Sequence, residues 1–226
     1  MRNLLYKEFK LCTHPMMFVF MAFVLMLLIP NYPYLMPCFF VCNAIFYMFQ
    51  RCVQNKDIEF TVLLPVGKRD AVKARYWFIV IFQLITVVLY AVLIAINMIA
   101  IRRASPMLDA CPTLIGMAFI TFAVFNSVFM PIFYKSGYKA GKAFLVSAIL
   151  MFVLIIIVEA VFITSEAASP YAAIFKWIHL NLDGAPASAA AWTAQLIAIA
   201  VCAVIYALLT WLSYRRSVRN FEKVDL

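Results

Sequence analysis

Long apolar runs separated by short polar stretches organise this chain. The runs are Pro15–Ile29, Pro33–Gln50, Trp77–Ile101, Pro112–Tyr134, Ala143–Ile163 and Ala190–Tyr214. Most hold the ~20 residues that an α-helix needs to cross a bilayer. The pattern therefore predicts an all-α polytopic membrane protein with six transmembrane helices, over about 15–32, 33–50, 77–101, 112–134, 143–163 and 190–214. The first run is short. At ~1.5 Å per residue it reaches only about 24 Å before Pro30, so the span must extend into the Pro30, Pro33, Pro37 cluster or thin the bilayer locally. That cluster marks a tight outer turn.

Two polar-flanked stretches have their own character. On a helical wheel, residues 1–14 (MRNLLYKEFKLCTH) place Leu4, Leu5, Phe9, Leu11 and Cys12 on one side and Lys7 and Lys10 opposite. Glu8 intrudes on the apolar side. This predicts an amphipathic helix in the interface before Pro15 turns the chain inward; a simple basic flank is the alternative. Residues 164–189 form the one long outer segment. Pro170–Leu180 within it is apolar and aromatic, suits a short helix on the outer leaflet, and is broken by Asp183-Gly184.

Composition agrees with a membrane protein: of 226 residues, 67% are hydrophobic and 13% charged. Soluble domains run near 45–50% apolar and about 25% charged. A soluble enzyme or a nucleic-acid-binding domain is excluded, because so apolar a chain cannot cover its own surface with polar groups. The net charge of +9 then matters through its placement. With the N-terminus inside, all of the 19 basic residues except Arg102, Arg103 and Lys176 fall on the inner side. The positive-inside rule thus predicts a multi-pass cell-membrane protein with both termini cytoplasmic and an even number of spans.

Candidate chemistry is sparse. The histidines, His14 and His179, fall on opposite sides of the membrane, and no His, Cys or carboxylate pair has metal-ligand spacing. The six cysteines show no CxxC spacing and read as small buried hydrophobes. Cys38 and Cys111 alone lie near the outer face, where a disulfide is conceivable. GYKAGK, Gly137–Lys142, has three residues between its glycines where a phosphate loop needs four, and Ala143 follows the lysine. It reads as a basic turn. Catalytic, metal and cofactor residues are accordingly expected to be none in this chain.

Within the spans, Glu159 is the one acidic residue. It faces a translocation path, pairs with Lys176, Arg102 or Arg103, or snorkels to the outer interface. Asn97 and Asn126 are further candidates for that path, although interhelical hydrogen bonding accounts for them together with Asn43 and Gln83. Ala190, Ala194 and Ala198, followed by Cys202, form a small-residue helix-packing face within one subunit or between two.

The second inner segment, Asp57–Trp77 (DIEFTVLLPVGKRDAVKARYW), is too long for a tight turn. Its apolar part contains Pro65 and then Gly67, and its basic part reads as helical. Leu63–Tyr76, LLPVGKRDAVKARY, resembles the "LPV-basic-…-V-x-A-[KR]-Y" segment of ATP-binding cassette type-2 exporter permeases, in particular the small six-span Gram-positive type. Lys7–Pro15, KEFKLCTHP, is similar to the "KE…P" pattern that opens their first span. Those permeases often carry an aromatic pair or a second acidic residue upstream of LPV. Here Asp57, Glu59 and Phe60 stand in that place.

The resemblance implies the membrane half of a bacterial exporter. Two permease chains, as a homo- or heterodimer, bind separate ATP-binding cassette ATPase subunits, which hold the ATP and magnesium. The segment 57–76 becomes a coupling helix in a groove on the ATPase, with Asp57, Glu59, Leu63, Leu64, Pro65, Val66, Lys68, Arg69, Lys73 and Arg75 as its contact residues and the N-terminal helix bracing it. The substrate is amphipathic or hydrophobic: a peptide, lipid or drug. Membrane lipid is a partner and nucleic acid is not. The rival expectation is a non-transporting membrane immunity or sensor protein whose basic segment meets anionic lipid.

Overall fold

A computed structural model describes residues 2–13, 15–29, 32–57, 60–61, 67–101, 110–136, 139–166, 177–178, 180–184, 186 and 188–223. All regular structure among them is helical. Helix α1, Arg2–Lys7, continues as a π-helical turn over Glu8–Cys12. Helix α2, Pro15–Ala22, tightens into a 3-10 helix over Phe23–Leu28. Helices α3 (Met36–Gln54), α4 (Lys68–Ile96, with a π turn at Asn97–Ile101), α5 (Thr113–Lys135), α6 (Ala140–Glu166) and α7 (Ala189–Glu222) follow.

Five of these helices are long and apolar enough to cross a membrane, and a bent pair brings the count to six. That pair is Leu4–Lys10 with Pro15–Leu28, whose axes differ by 75°. The eight α-helical and six 3-10 residues of α2 reach about 24 Å. The first crossing is therefore short, as its sequence requires.

Two boundaries differ from those read in the sequence. Helix α4 starts at Lys68, nine residues before the apolar run, so the basic residues 68–76 are its first turns rather than a separate cross-helix. Helix α7 runs on to Glu222. Charged residues end an apolar run without ending a helix, since Lys, Arg and Glu are good helix formers. The 32-residue span Lys68–Ile99 and the 34-residue α7 measure about 48 and 51 Å, well over the ~30 Å hydrocarbon core. Their basic ends project together. Arg69 Nε lies 2.7 Å from Glu222 Oε1, and Lys68 Nζ stands over the Phe221 ring.

The core is aromatic. Phe49 of α3 meets Phe129 and Phe133 of α5 edge-on, and Phe125 stacks on Phe129 at 4.8 Å. Helices α5 and α7 pack together along much of their length. Gly116 permits the approach: a Cβ there lies 3.3 Å from Cys202 Sγ and 3.5 Å from Ile199 Cα. Of the alanine stripe, Ala194 and Ala198 are half-buried beside this contact and Ala190 is exposed. The outer faces of α6 and α7 show Ile149, Ile156, Leu196, Ile197 and Val204 to the surroundings, as lipid-facing helices do.

Cys38, Cys42, Cys52, Cys111 and Cys202 are free thiols. Cys38 donates to the Tyr90 hydroxyl at 3.2 Å, and Tyr90 donates to the Tyr34 carbonyl. Cys111 donates to the Leu182 carbonyl at 3.4 Å, so no Cys38–Cys111 disulfide forms. Burial, with the nearby Asp183 charge, pushes the Cys111 thiol up to about 12.

Candidate functional site

The basic end of the bundle holds a buried charge cluster that joins three separate parts of the chain. Arg75, two turns into α4, is almost fully enclosed. Its Nη2 donates to Asp57 Oδ2 at 2.7 Å, and its Nε and Nη2 donate to Glu8 at 3.2 and 3.3 Å. Lys7 Nζ lies 2.7 Å from Asp57 Oδ1 and donates to the Thr61 hydroxyl. The Thr61 hydroxyl donates to the Asp57 carbonyl at 2.6 Å. The Arg75 guanidinium also stands over the Phe49 ring, 5.5 Å from its centroid.

This arrangement explains why Glu8 interrupts the apolar side of the N-terminal helix. It is 3% exposed and faces Arg75, 67 residues away. Two carboxylates and two cations are removed from water together, which suits a group whose members neutralise one another. The guanidinium fork reaches both carboxylates at once, a geometry that an ammonium lacks. Helix α1, the turn after α3 and the start of α4 are thereby held as one unit.

The other candidate coupling residues fall differently. Arg69 is exposed at the tip of α4, and Lys68 is half-buried next to it. Lys73 is exposed on the α4 side that faces α7. Glu59, Leu63, Leu64, Pro65 and Val66 lie outside the described residues. Asp57 and Arg75 are engaged with each other, so any influence they have on a partner is indirect.

Deeper in the bundle a second polar system links α4, α5 and α7. Gln83 and Asn126 exchange two hydrogen bonds at 2.9 Å. Tyr206 donates to Gln83 Oε1 at 2.8 Å, and Asn126 Nδ2 reaches Thr210 Oγ1 at 3.3 Å. Ser213 donates to the Asn126 carbonyl, and its hydroxyl lies 2.7 Å from that of Tyr76, which also meets Ser217 at 2.8 Å. Polar side chains in an apolar interior need such partners. Sequence reading anticipated the bonds of Gln83 and Asn126. It missed Tyr206, Thr210, Ser213 and Ser217, although these recur on one face of α7 at helical spacing.

Gln83→Leu is expected to leave the Asn126 amide and the Tyr206 hydroxyl short of partners, at a cost of about 1–2 kcal/mol. Unfolding titrations in mixed micelles measure this; an unchanged midpoint contradicts it.

Asn126 thus lies one hydrogen bond behind Thr210, which with Tyr206 lines a cleft between α4 and α7. Asn97 stands 14 residues beyond Gln83 along α4, about 21 Å from it. Its Nδ2 donates to the Leu27 carbonyl at 2.9 Å, tying the π turn of α4 to the 3-10 helix of α2. Glu159 is 8% exposed and is turned into the protein, not out to the surface. Its candidate partners Arg102, Arg103 and Lys176 lie outside the described residues. Among the described residues no group of His, Cys, Asp and Glu has the arrangement of a metal site.

Comparisons with curated proteins and with solved structures give no match. Residues 3–222 match the family described as ABC-2 family transporter protein, so the match takes in both the charge cluster and the polar system of the spans. The chain belongs to the ABC-2 transporter family and is a multi-pass membrane permease of that kind.

Proposed function

We propose that this permease is the membrane subunit of an exporter driven by a separate ATP-binding cassette ATPase. The observation that carries the reading is the buried cluster of Lys7, Glu8, Asp57 and Arg75. It ties α1, Asp57 and Thr61 to the first turns of α4, which continue into the membrane. A force applied by an ATPase near Asp57 then reaches α4 through the Asp57–Arg75 pair, and contiguous ion-pair contacts of this kind carry coupling between distant sites. Lys68, Arg69 and the LPV residues 64–66 form the docking surface. Arg75 and Asp57 transmit the motion.

Both termini lie on the cytoplasmic side in this reading, because the charge cluster and most of the basic residues share that end. Two permease chains and two ATPases make the working unit, with ATP and magnesium held by the ATPases. A switch from 1:99 to 99:1 between inward and outward states needs about 5.5 kcal/mol of differential binding, which ATP supplies through the partner. The substrate is amphipathic or hydrophobic, taken from the bilayer and moved outward.

Glu159 belongs to the translocation path. A carboxylate at that depth is costly and serves transport better than packing. In inside-out vesicles holding both subunits, Glu159→Gln is expected to lower ATP-dependent uptake of an amphipathic peptide at least several-fold, with the protein level unchanged. Uptake equal to the unaltered protein contradicts the assignment.

A further inference from the structure

Between α4 and α7 at the basic end lies a cleft of about 520 Å³. Its walls are Trp77 and Val80 of α4 and Ala207, Trp211 and Tyr214 of α7, with Lys73 at the rim. Trp77 and Trp211 are about half exposed, and the positions beyond them, Leu84, Val88, Val204 and Leu208, are exposed and apolar. The cleft therefore opens sideways onto lipid. Its volume falls in the range of small-molecule sites.

Charge is distributed unevenly around it. Lys73 is exposed at the rim. On the α7 side, the Arg215 guanidinium lies 3.9 Å from the ring centroid of Trp211, whose side chain lines the cleft. No carboxylate lines the cleft. The nearby Glu222 is engaged by Arg69 at 2.7 Å. At the floor, the Tyr206 and Thr210 hydroxyls are bonded to Gln83 and Asn126. One cation thus lines the aromatic and aliphatic slot, and a second lies against the ring of Trp211 in its wall. Tryptophan, tyrosine and basic side chains at that depth face the headgroup region.

We propose that this cleft binds one anionic phospholipid from the leaflet at the basic end. The phosphodiester sits between Lys73 and Arg215, and one acyl chain runs along Trp77, Val80 and Ala207. The proposal does not depend on the ATPase, so it stands or falls separately from the exporter reading. Each basic side chain near an anionic surface contributes to selectivity, and the pair is expected to give about a tenfold preference for anionic over zwitterionic lipid.

The chain has four tryptophans, and only Trp77 and Trp211 line the cleft. In full-length protein carrying Trp177→Phe and Trp192→Phe, they alone report. Reconstituted into vesicles with brominated phosphatidylglycerol or brominated phosphatidylcholine, this variant is expected to show about tenfold stronger apparent association with the former. Adding Lys73→Gln and Arg215→Gln removes the preference, and excess inorganic phosphate leaves it intact. Native mass spectrometry of the chain with its four tryptophans in place reads the same preference as phosphatidylglycerol retained over phosphatidylcholine. Equal quenching by the two lipids, a preference that survives loss of both cations, or reversal by free phosphate overturns the proposal, as does equal retention in the mass spectrum.

Discussion

Arg75→Ala is expected to destabilise the protein by about 3–5 kcal/mol, the cost of removing one partner from a buried charge group. The substitution leaves Glu8 and Asp57 in an enclosed site without the guanidinium that bridges them. Two further changes separate charge from packing. Arg75→Lys keeps the charge but loses the fork that reaches both carboxylates, so it restores only part of the loss. Glu8→Gln combined with Arg75→Ala is expected to cost less than the sum of the two singles, because the residues act on one another. Unfolding titrations in mixed micelles measure all three. A loss below 1 kcal/mol for Arg75→Ala, or strict additivity with Glu8→Gln, contradicts the cluster.

Reversing charge at the exposed tip gives the other large effect. Lys68→Glu with Arg69→Glu is expected to weaken association with the ATPase subunit at least a hundredfold while leaving the fold in place. Like charges brought together across an interface cost several kcal/mol, and about 2.7 kcal/mol already corresponds to a hundredfold. The fold survives because the Arg69–Glu222 pair is exposed and such pairs contribute little. Titration of ATPase stimulation against permease concentration measures it. Stimulation at an unchanged midpoint places the docking surface elsewhere. Arg75→Ala and the tip reversal are thus expected to separate: the first lowers stability, the second lowers partner affinity alone.

Much of the fold was legible because hydrophobic runs in a membrane protein are set by bilayer thickness, a constraint local in sequence. All six apolar runs correspond to helices, and the short first run is short in the structure. The extension of α4 to Lys68 was not legible as part of the span. Charge marks where the chain leaves hydrocarbon, not where its backbone stops being helical. The charge cluster was half legible. Glu8 stood out as an acid on an apolar face and Asp57 entered only as an ATPase contact implied by the family resemblance, but nothing local pairs them with Arg75.

The polar system of the spans shows the same limit. Gln83 and Asn126 were identified as interhelical hydrogen-bonding residues, and they do bond to each other. Their partners on α7 sit 84 and 123 residues along the chain, where Thr210 and Tyr206 look like ordinary span residues. The same holds for Asn97, which finds a backbone carbonyl 70 residues earlier instead of an open path. Periodicity tells which face of a helix is buried; it does not tell which helix buries it.

If this permease works with a separate ATPase docked at its basic end, the two subunits must be isolated together. The most direct measurement is a mild-detergent purification of the tagged chain from its native membranes, with quantitative mass spectrometry of what accompanies it. An ATP-binding cassette ATPase is expected at one copy per permease chain, lost when Lys68 and Arg69 are both changed to glutamate. An intact, folded permease that comes through with no ATP-binding subunit contradicts it and favours a non-transporting membrane sensor or immunity protein.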